Sequence, residues 1–390
     1  MTTSFSNPTP FLCDFVNELR ERSPSSDDIR ELFLKDLDED QYKFISAEAT
    51  VLILSTQTDV ESDLVGLILL SKGVDYLRIN IEDIPKNIKI SLQEGQKSAI
   101  IIKKNQSVNL SKIQVVFVRN FDINDVDFEF RTAFVNKYMR EQWLHMFEII
   151  KVGTLDAKWI SSFGAIERLR YNKAIQLSIA KSVGLFDVPD TLITNDSDQA
   201  RRFYYSYSGD VVVKCLHHHL VQIRNNEHLI YTHRFSESNL SRLDESLAFA
   251  PCIFQKRIDK KSELRITVVS EQVFAAKLNL KSKKALEEDI HLSKYDEDID
   301  IEPFDLAPEV KNRILAMMKV FGLEYGSLDF IIDKNSKLIF LEVNPTGDWA
   351  YIEDTTGMPI TEVISNLIIK EKTITSPSTV ETIPSEDPHS

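Results

Sequence analysis

Hydrophobic and polar positions change rhythm several times along the chain. Residues 1–45 are polar and rich in Ser, Asp and Glu, with helix-like apolar spacing at 11–22 and 27–37. From Thr50 the texture changes. Val51-Leu52-Ile53-Leu54 is a short continuous apolar run, read as a buried strand, and a helical stretch over 59–71 leads to a second strand at 76–79. Further strands fit 99–103 and 115–119, the latter ending in FVRN. This alternation predicts a small α/β domain with a parallel sheet over 46–157. A long helix is expected at about 129–150, then a loop to Trp159.

The next block opens with a helix predicted as one piece over 165–183, stopped by Gly184 with Pro189 soon after. A helix near 197–207, the strand VVVKCL and a polar connector follow. The final third is strand-rich: PCIFQKRI, LRITVVSEQVFAAKLNL, GSLDFIID and KLIFLEVNP, with helices at 307–321 and 360–370. The Ser/Thr/Pro-rich tail, 373–390, is expected to be disordered. The class is therefore α/β followed by α+β.

Composition adds exclusions. Only 11 glycines occur in 390 residues, and no two are separated by a single residue, so G-x-G-x-x-G is absent; G-x-x-x-x-G-K-S/T is absent too. A nucleotide held by either loop is excluded. The net charge of −14 argues against non-specific nucleic-acid or anionic-membrane binding, although a local basic cleft survives because fields decay within roughly 8 Å. Cys13, Cys215 and Cys252 are scattered and lack metal-ligand spacing, which fits a reduced, cytoplasmic protein. No signal peptide is recognisable, and the longest apolar run, 64–70, is far short of a membrane span.

The sharpest chemical signal is GSLDFIIDKNSKLIFLEVNPTG, two apolar strands around the turn 333–336. Pairing Ile332 with Ile339 puts Asp329 opposite Glu342, and strand alternation adds Asn344 to the same face. Two facing carboxylates are destabilising unless neutralised, and two carboxylates with an amide oxygen suit Mg2+. A solvated carboxylate face is the alternative, against which the apolar neighbours weigh. Lys214 ends the apolar run Val211-Val212-Val213, where either an anionic partner or simple snorkelling accounts for it. A second hairpin turning near Glu271 would bring Arg265 roughly opposite Lys277, a pair calling for an anion between them or else a surface accident.

VVVKCL, FQKRI, ELRITVV, GSLDFIID and FLEVNP, in this order, resemble the ATP-grasp ligases over about 159–370. More narrowly, WISSFGAIERLRYNKAIQLSIAKSVGLFDVPDTLITND, with FVRN and EVNPTGDWAYIE, resembles the branch that modifies ribosomally made peptides. These are the graspetide (microviridin-type) macrocycle synthetases, related to enzymes that add glutamate to ribosomal proteins. The resemblance implies a pre-ATP-grasp domain at 46–157 and a two-lobed ATP-grasp fold at 158–372, with lobes 158–252 and 253–372. It implies that Lys173 and Lys214 hold ATP phosphates and that Gln255, Lys256 and Ile258 belong to the hinge that reads adenine. Glu263 would hold ribose, Arg265 would lie near the reacting phosphate, and Asp329, Glu342 and Asn344 would bind Mg2+, with two ions expected; the hairpin pairing adds Lys277 to Arg265 as a catalytic candidate.

The implied activity is ATP-dependent ligation through an acyl phosphate, giving side-chain amides or esters in a precursor peptide made of a leader and an acidic core. A homodimer is the family expectation. The alternatives are a ligase adding free amino acids to a protein or peptide acceptor, and a nucleotide-binding regulatory module without turnover. The segment 215–220, Gly/Ser-rich in many relatives, here reads Cys215-Leu216-His217-His218-His219-Leu220. The stretch 279–302 also departs from the relatives and reads as a solvated lobe. Pro10-Phe11-Leu12-Cys13-Asp14-Phe15-Val16 resembles a microviridin leader helix, so residues 1–45 are either a leader acting in cis or an amphipathic capping helix.

Overall fold

A computed structural model describes residues 48–375 except 94–98, 104–105, 127, 129–131, 217–219, 224–225, 230–231 and 282–298. The helices expected at 11–22 and 27–37, the histidines His217, His218 and His219, and the tail from 376 lie outside the described residues. The chain divides into two compact units, of which the described parts are 48–159 with 365–375, and 160–364.

In the first unit, β1 (Val51–Ser55) pairs in parallel with β2 (Tyr76–Asn80) and β6 (Val115–Val118), and β7 (Lys158–Ile160) completes the order β2-β1-β6-β7. Every β1 residue is buried, as expected of a strand covered on both faces. The strand predicted at 99–103 is not part of this sheet. It is β4 (Ile100–Lys103), in an antiparallel sheet with β3 (Ile88–Ser91) and β5 (Gln106–Asn109). Its alternating burial marks a strand with one face covered.

Helix α1 (Val60–Ser71) starts at Asp59, whose carboxylate lies 3.0 Å from Arg119 of the FVRN motif, with both side chains essentially inaccessible. Ser55 and Ser62 donate to the same carboxylate. The long helix α2 spans Ala133–Gly153.

The second unit opens with a correction. The helix predicted over 165–183 is two, α3 (Phe163–Leu169) and α4 (Lys173–Val183). Tyr171 takes φ 56° between them, and Asn172 caps α4 by accepting from Ile175 N at 3.2 Å. Lys173 thereby becomes the first residue of a helix.

A four-stranded sheet follows, built from β8 (Thr191–Thr194), β9 (Val211–Lys214), β12 (His233–Phe235) and β13 (Cys252–Lys256) in the order β12-β9-β13-β8. The hairpin β10 (Leu220–Ile223) with β11 (Asn226–Leu229) interrupts it in sequence. Helices α5 (Ser197–Ser206) and α6 (Leu243–Phe249) supply Tyr204 and Leu247 to a core shared with Val211, Phe235 and Phe254. β13 pairs with both β8 and β9 and so sits between them in this sheet.

The second sheet is antiparallel, in the order β16-β15-β14-β17-β18: β14 (Lys260–Val269), β15 (Gln272–Leu280), β16 (Ile299–Pro303), β17 (Tyr325–Asp333) and β18 (Leu338–Asn344). Helix α7 (Pro308–Phe321) contributes Ile314, Met317, Met318 and Phe321 to the buried core. Helices α8 (Ala350–Thr356) and α9 (Ile360–Thr375) are the last elements among the described residues.

Candidate active site

The carboxylate hairpin forms, with one difference from the sequence arithmetic. Asp329 pairs with Glu342, as expected, and Asn344 follows on the same face opposite Ser327, but Ile332 pairs with Leu338 instead of Ile339. A register shift between Asp329 and Phe330 absorbs one extra residue on β18. The reading from the turn therefore starts one place off and still arrives at the right carboxylate pair. Asp329 and Glu342 are partly exposed, whereas Phe330 and Phe340 beyond the shift are fully buried.

Each carboxylate already faces a cation. On β14, Arg265 lies directly opposite Asp329 and donates through Nη1 to both its oxygens, at 3.0 and 2.9 Å. Lys173 Nζ sits 2.9 Å from Glu342 Oε2. Burial by itself would raise the Glu342 pKa. Lys173 foremost, then Lys214 and Arg265, overturn that and hold it at about 2. Burial likewise opposes the Arg265 charge, yet Asp329 keeps the guanidinium's proton more tightly bound than usual. Facing carboxylates are thus no sign of a metal in themselves, since side chains neutralise them; the donor chemistry has to decide.

Other predicted residues fall at varying distances from this centre. Lys214 ends β9 opposite Ile253, close enough to bias the Glu342 carboxyl. Gln255 is buried, and its amide donates to Thr191 Oγ1 at 3.0 Å. The Lys256 backbone N–H donates to Asp190 O at 2.9 Å, and its exposed side chain reaches over the Tyr207 ring. Arg257 is tied to Asp210 at 2.6 Å, which leaves Ile258 just beyond an anchored residue. Glu263 shares the Arg265 face of β14, and Lys260 donates to it at 2.7 Å. Asn344 Oδ1 accepts from Thr346 N at 3.0 Å.

Lys277 is not brought to the site. The turn at Ser270 (φ 55°) sets Arg265 opposite Ala276 and Lys277 opposite Leu264, so Lys277 occupies the other face. There it pairs with Glu302 at 3.2 Å. Sequence reading also missed Gln176, which is buried and hydrogen-bonded to β18 from α4. The one available signal was its place a single turn after Lys173 in YNKAIQ.

The loop after Asn344 closes around these groups. Arg265 Nη2 donates to Asp348 O at 3.3 Å, and the Tyr325 hydroxyl donates to Gly347 O. Arg265 Nε is buried without a hydrogen-bond partner.

Comparison with known proteins places this arrangement. The family model described as the MvdD pre-ATP grasp domain matches residues 50–167, and the RimK-like ATP-grasp domain matches residues 171–368. The chain belongs to the RimK-like ATP-grasp family. The fold is similar to that of the macrocyclase MdnC bound with precursor peptide MdnA from Microcystis aeruginosa MRC. Identity is 26% with TM-score 0.71, covering 82% of this chain and 99% of that one. It is also similar to a Chryseobacterium gregarium RiPP-associated ATP-grasp ligase in complex with ADP and a leader and core peptide. Identity is 26% with TM-score 0.69, covering 83% and 97% respectively. The macrocyclase MdnB from Microcystis aeruginosa MRC gives 25% identity and TM-score 0.69, covering 82% and 99%. No curated protein matches this chain.

As an ATP-grasp enzyme the chain is an ATP-dependent ligase, and the fold takes ATP with Mg2+. The residues present fit both groups. Asp329, Glu342 and Asn344 offer hard oxygen donors on one face, the donor type Mg2+ prefers. The orphaned Arg265 Nε, with Lys173 and Lys214 around Glu342, suits a polyanion. Among the described residues, no helix is long and apolar enough to cross a membrane.

Proposed function

We propose that the protein joins side-chain carboxylates of a ribosomally made precursor peptide to amine or hydroxyl groups of the same peptide, forming macrocycles. The observation that carries this reading is the convergence of Lys173, Lys214 and Arg265 on the Asp329/Glu342 pair. Likeness to MdnC and to the Chryseobacterium ligase, both bound to peptides in their solved structures, supports the substrate class.

In this reading Lys173 and Lys214 bind ATP phosphates, the 255–258 segment presents backbone groups to adenine, and Glu263 faces ribose. Asp329, Glu342 and Asn344 hold Mg2+, as two ions, which neutralise charge on the phosphate oxygens when bound. A substrate carboxylate oxygen attacks the γ-phosphorus and ADP leaves, giving an acyl phosphate. An amine or hydroxyl then attacks the acyl carbon, phosphate departs, and one proton is released. Arg265 stabilises the transferring oxygens, and no protein nucleophile is required. A leader segment with an acidic core is the proposed peptide and a homodimer the proposed assembly. The proposed division is 46–157 before the ATP-grasp domain and 158–372 within it, with 1–45 as an extension.

The test is mass spectrometry of a short acidic peptide encoded beside the gene, incubated with the enzyme, ATP and Mg2+. Loss of one water per bond, abolished by Glu342→Gln or Lys214→Ala, is expected. A gain of residue mass from free amino acids would replace macrocyclisation with amino-acid addition. Turnover left intact in either variant would overturn the site.

A further inference from the structure

The strand that carries Glu342 and Asn344 is the edge of its sheet, and among the described residues its outer side has only an isolated parallel bridge, Ile339 with Asp187, in place of a strand. It also carries the register shift between the Phe330–Phe340 and Asp329–Glu342 pairs. An edge strand with a shift is where pairing slips most easily, and a slip of one residue would turn both ligands to the opposite face. Something must fix it on its open side.

Below the shift, Phe340 N donates to Asp187 O at 2.9 Å. Above it, a side chain does the work of a strand. Gln176 accepts from Val343 N at 2.9 Å and donates to Val343 O at 2.8 Å, while the same amide nitrogen donates to Leu169 O at 2.8 Å. Val343 lies between Glu342 and Asn344, and Gln176 is 2% exposed. A primary amide offers a donor and an acceptor in the geometry of a peptide group, which no other side chain except Asn reproduces. Gln176 also lies three residues after Lys173, on the same face of α4.

We propose that Gln176 is a positioning residue. It locks the strand bearing Glu342 and Asn344 to the helix bearing Lys173, and so sets the geometry in which that strand's ligands hold a divalent cation. This rests on the site reading given under the proposed function. Both ends of the Gln176 amide are taken up by Leu169 and Val343, so it acts through Val343.

The experiment is Mn2+ binding to the ADP-bound protein, followed by electron paramagnetic resonance, beside ADP affinity measured calorimetrically in EDTA. Gln176→Met, which keeps the volume and removes both bonds to Val343, is expected to lower Mn2+ affinity at least tenfold while ADP affinity in EDTA stays within threefold. Gln176→Glu keeps the acceptor toward Val343 N and loses the donor. It is expected to fall between the two, and it serves as the comparison should the Met variant not fold. A variant that melts earlier yet binds Mn2+ like the wild type would overturn the clamp and leave an ordinary buried amide. If Glu342→Gln abolishes Mn2+ binding but Gln176→Met does not, the clamp fails while the site stands. If the wild type binds no Mn2+ with ADP, the site reading fails and takes the clamp with it.

Discussion

Gly347 sits three residues after Asn344, where the chain turns back against its own sheet. A methyl group added there would meet Ser327 Cβ at 2.6 Å, Ser327 Oγ at 2.8 Å and Arg265 Nη2 at 2.9 Å. All three are closer than real Cβ contacts. The Arg265 tip can swing aside, but Ser327 Cβ is fixed to a central strand, fully buried and paired with Asn344. Gly347→Ala is therefore an overpacking change, costing about 1–3 kcal/mol. For a unit the size of Ile160–Ile364 this corresponds to a melting temperature lower by roughly 2–12 °C.

The functional loss should be larger than the thermal one, because the displaced Arg265 tip is the group that faces Asp329. ADP release under saturating ATP is expected to fall at least tenfold, measured beside a calorimetric melt. The double variant Gly347→Ala/Ser327→Gly removes two of the three clashes. It should recover part of the melting temperature, with a coupling of about 0.5–3 kcal/mol, but not the turnover, since the Arg265 clash remains. An alanine variant with unchanged melting and unchanged turnover would refute the steric reasoning outright.

Two further predictions concern charge. Asp59→Asn leaves buried Arg119 with the more distant Glu61 carboxylate at 3.6 Å in place of the Asp59 contact at 3.0 Å, and should destabilise the first unit by up to about 3–5 kcal/mol, read by urea unfolding. On α6, hydrogen bonds from Arg201 foremost and from Ser197 hold the exposed Asp244 carboxyl at about 2, below its ordinary 3.8. Its contribution is thus present at neutral pH and is lost as pH falls from about 4 through about 2. Arg201→Gln should return the Asp244 midpoint toward 3.8 in a carboxyl-detected NMR titration; an unmoved midpoint would contradict the pairing.

The parts legible from sequence were those written in local rhythm. The all-apolar run at 51–54, the cation ending 211–214 and the carboxylates of 326–345 depend on alternation and turn length, which neighbouring residues reveal. Four kinds of information were not local. The β18 shift lies beside the Phe330–Phe340 ring contact and the Phe340 bond to Asp187, and no residue in the strand announces it. The face of Lys277 depends on one residue of turn register at Ser270, and a single-place error reverses the side. Gln176 carries an uncharged amide in a helix, and its partner Val343 is distant in sequence. The strand at 100–103 was identified but assigned to the wrong sheet, because a short run of isoleucines does not disclose its pairing direction.

The break at Tyr171 has an electrostatic outcome. It starts a helix on Lys173, so an ammonium group stands where the helix already presents its positive end. For an isolated helix this is the wrong charge, and Asn172 satisfies one of the open backbone donors there. The conflict is relieved by Glu342, drawn to 2.9 Å from across the site. A helix begun in this way is locally frustrated until an anion arrives, and it attracts acidic groups because its own sequence makes that end too positive to stand alone.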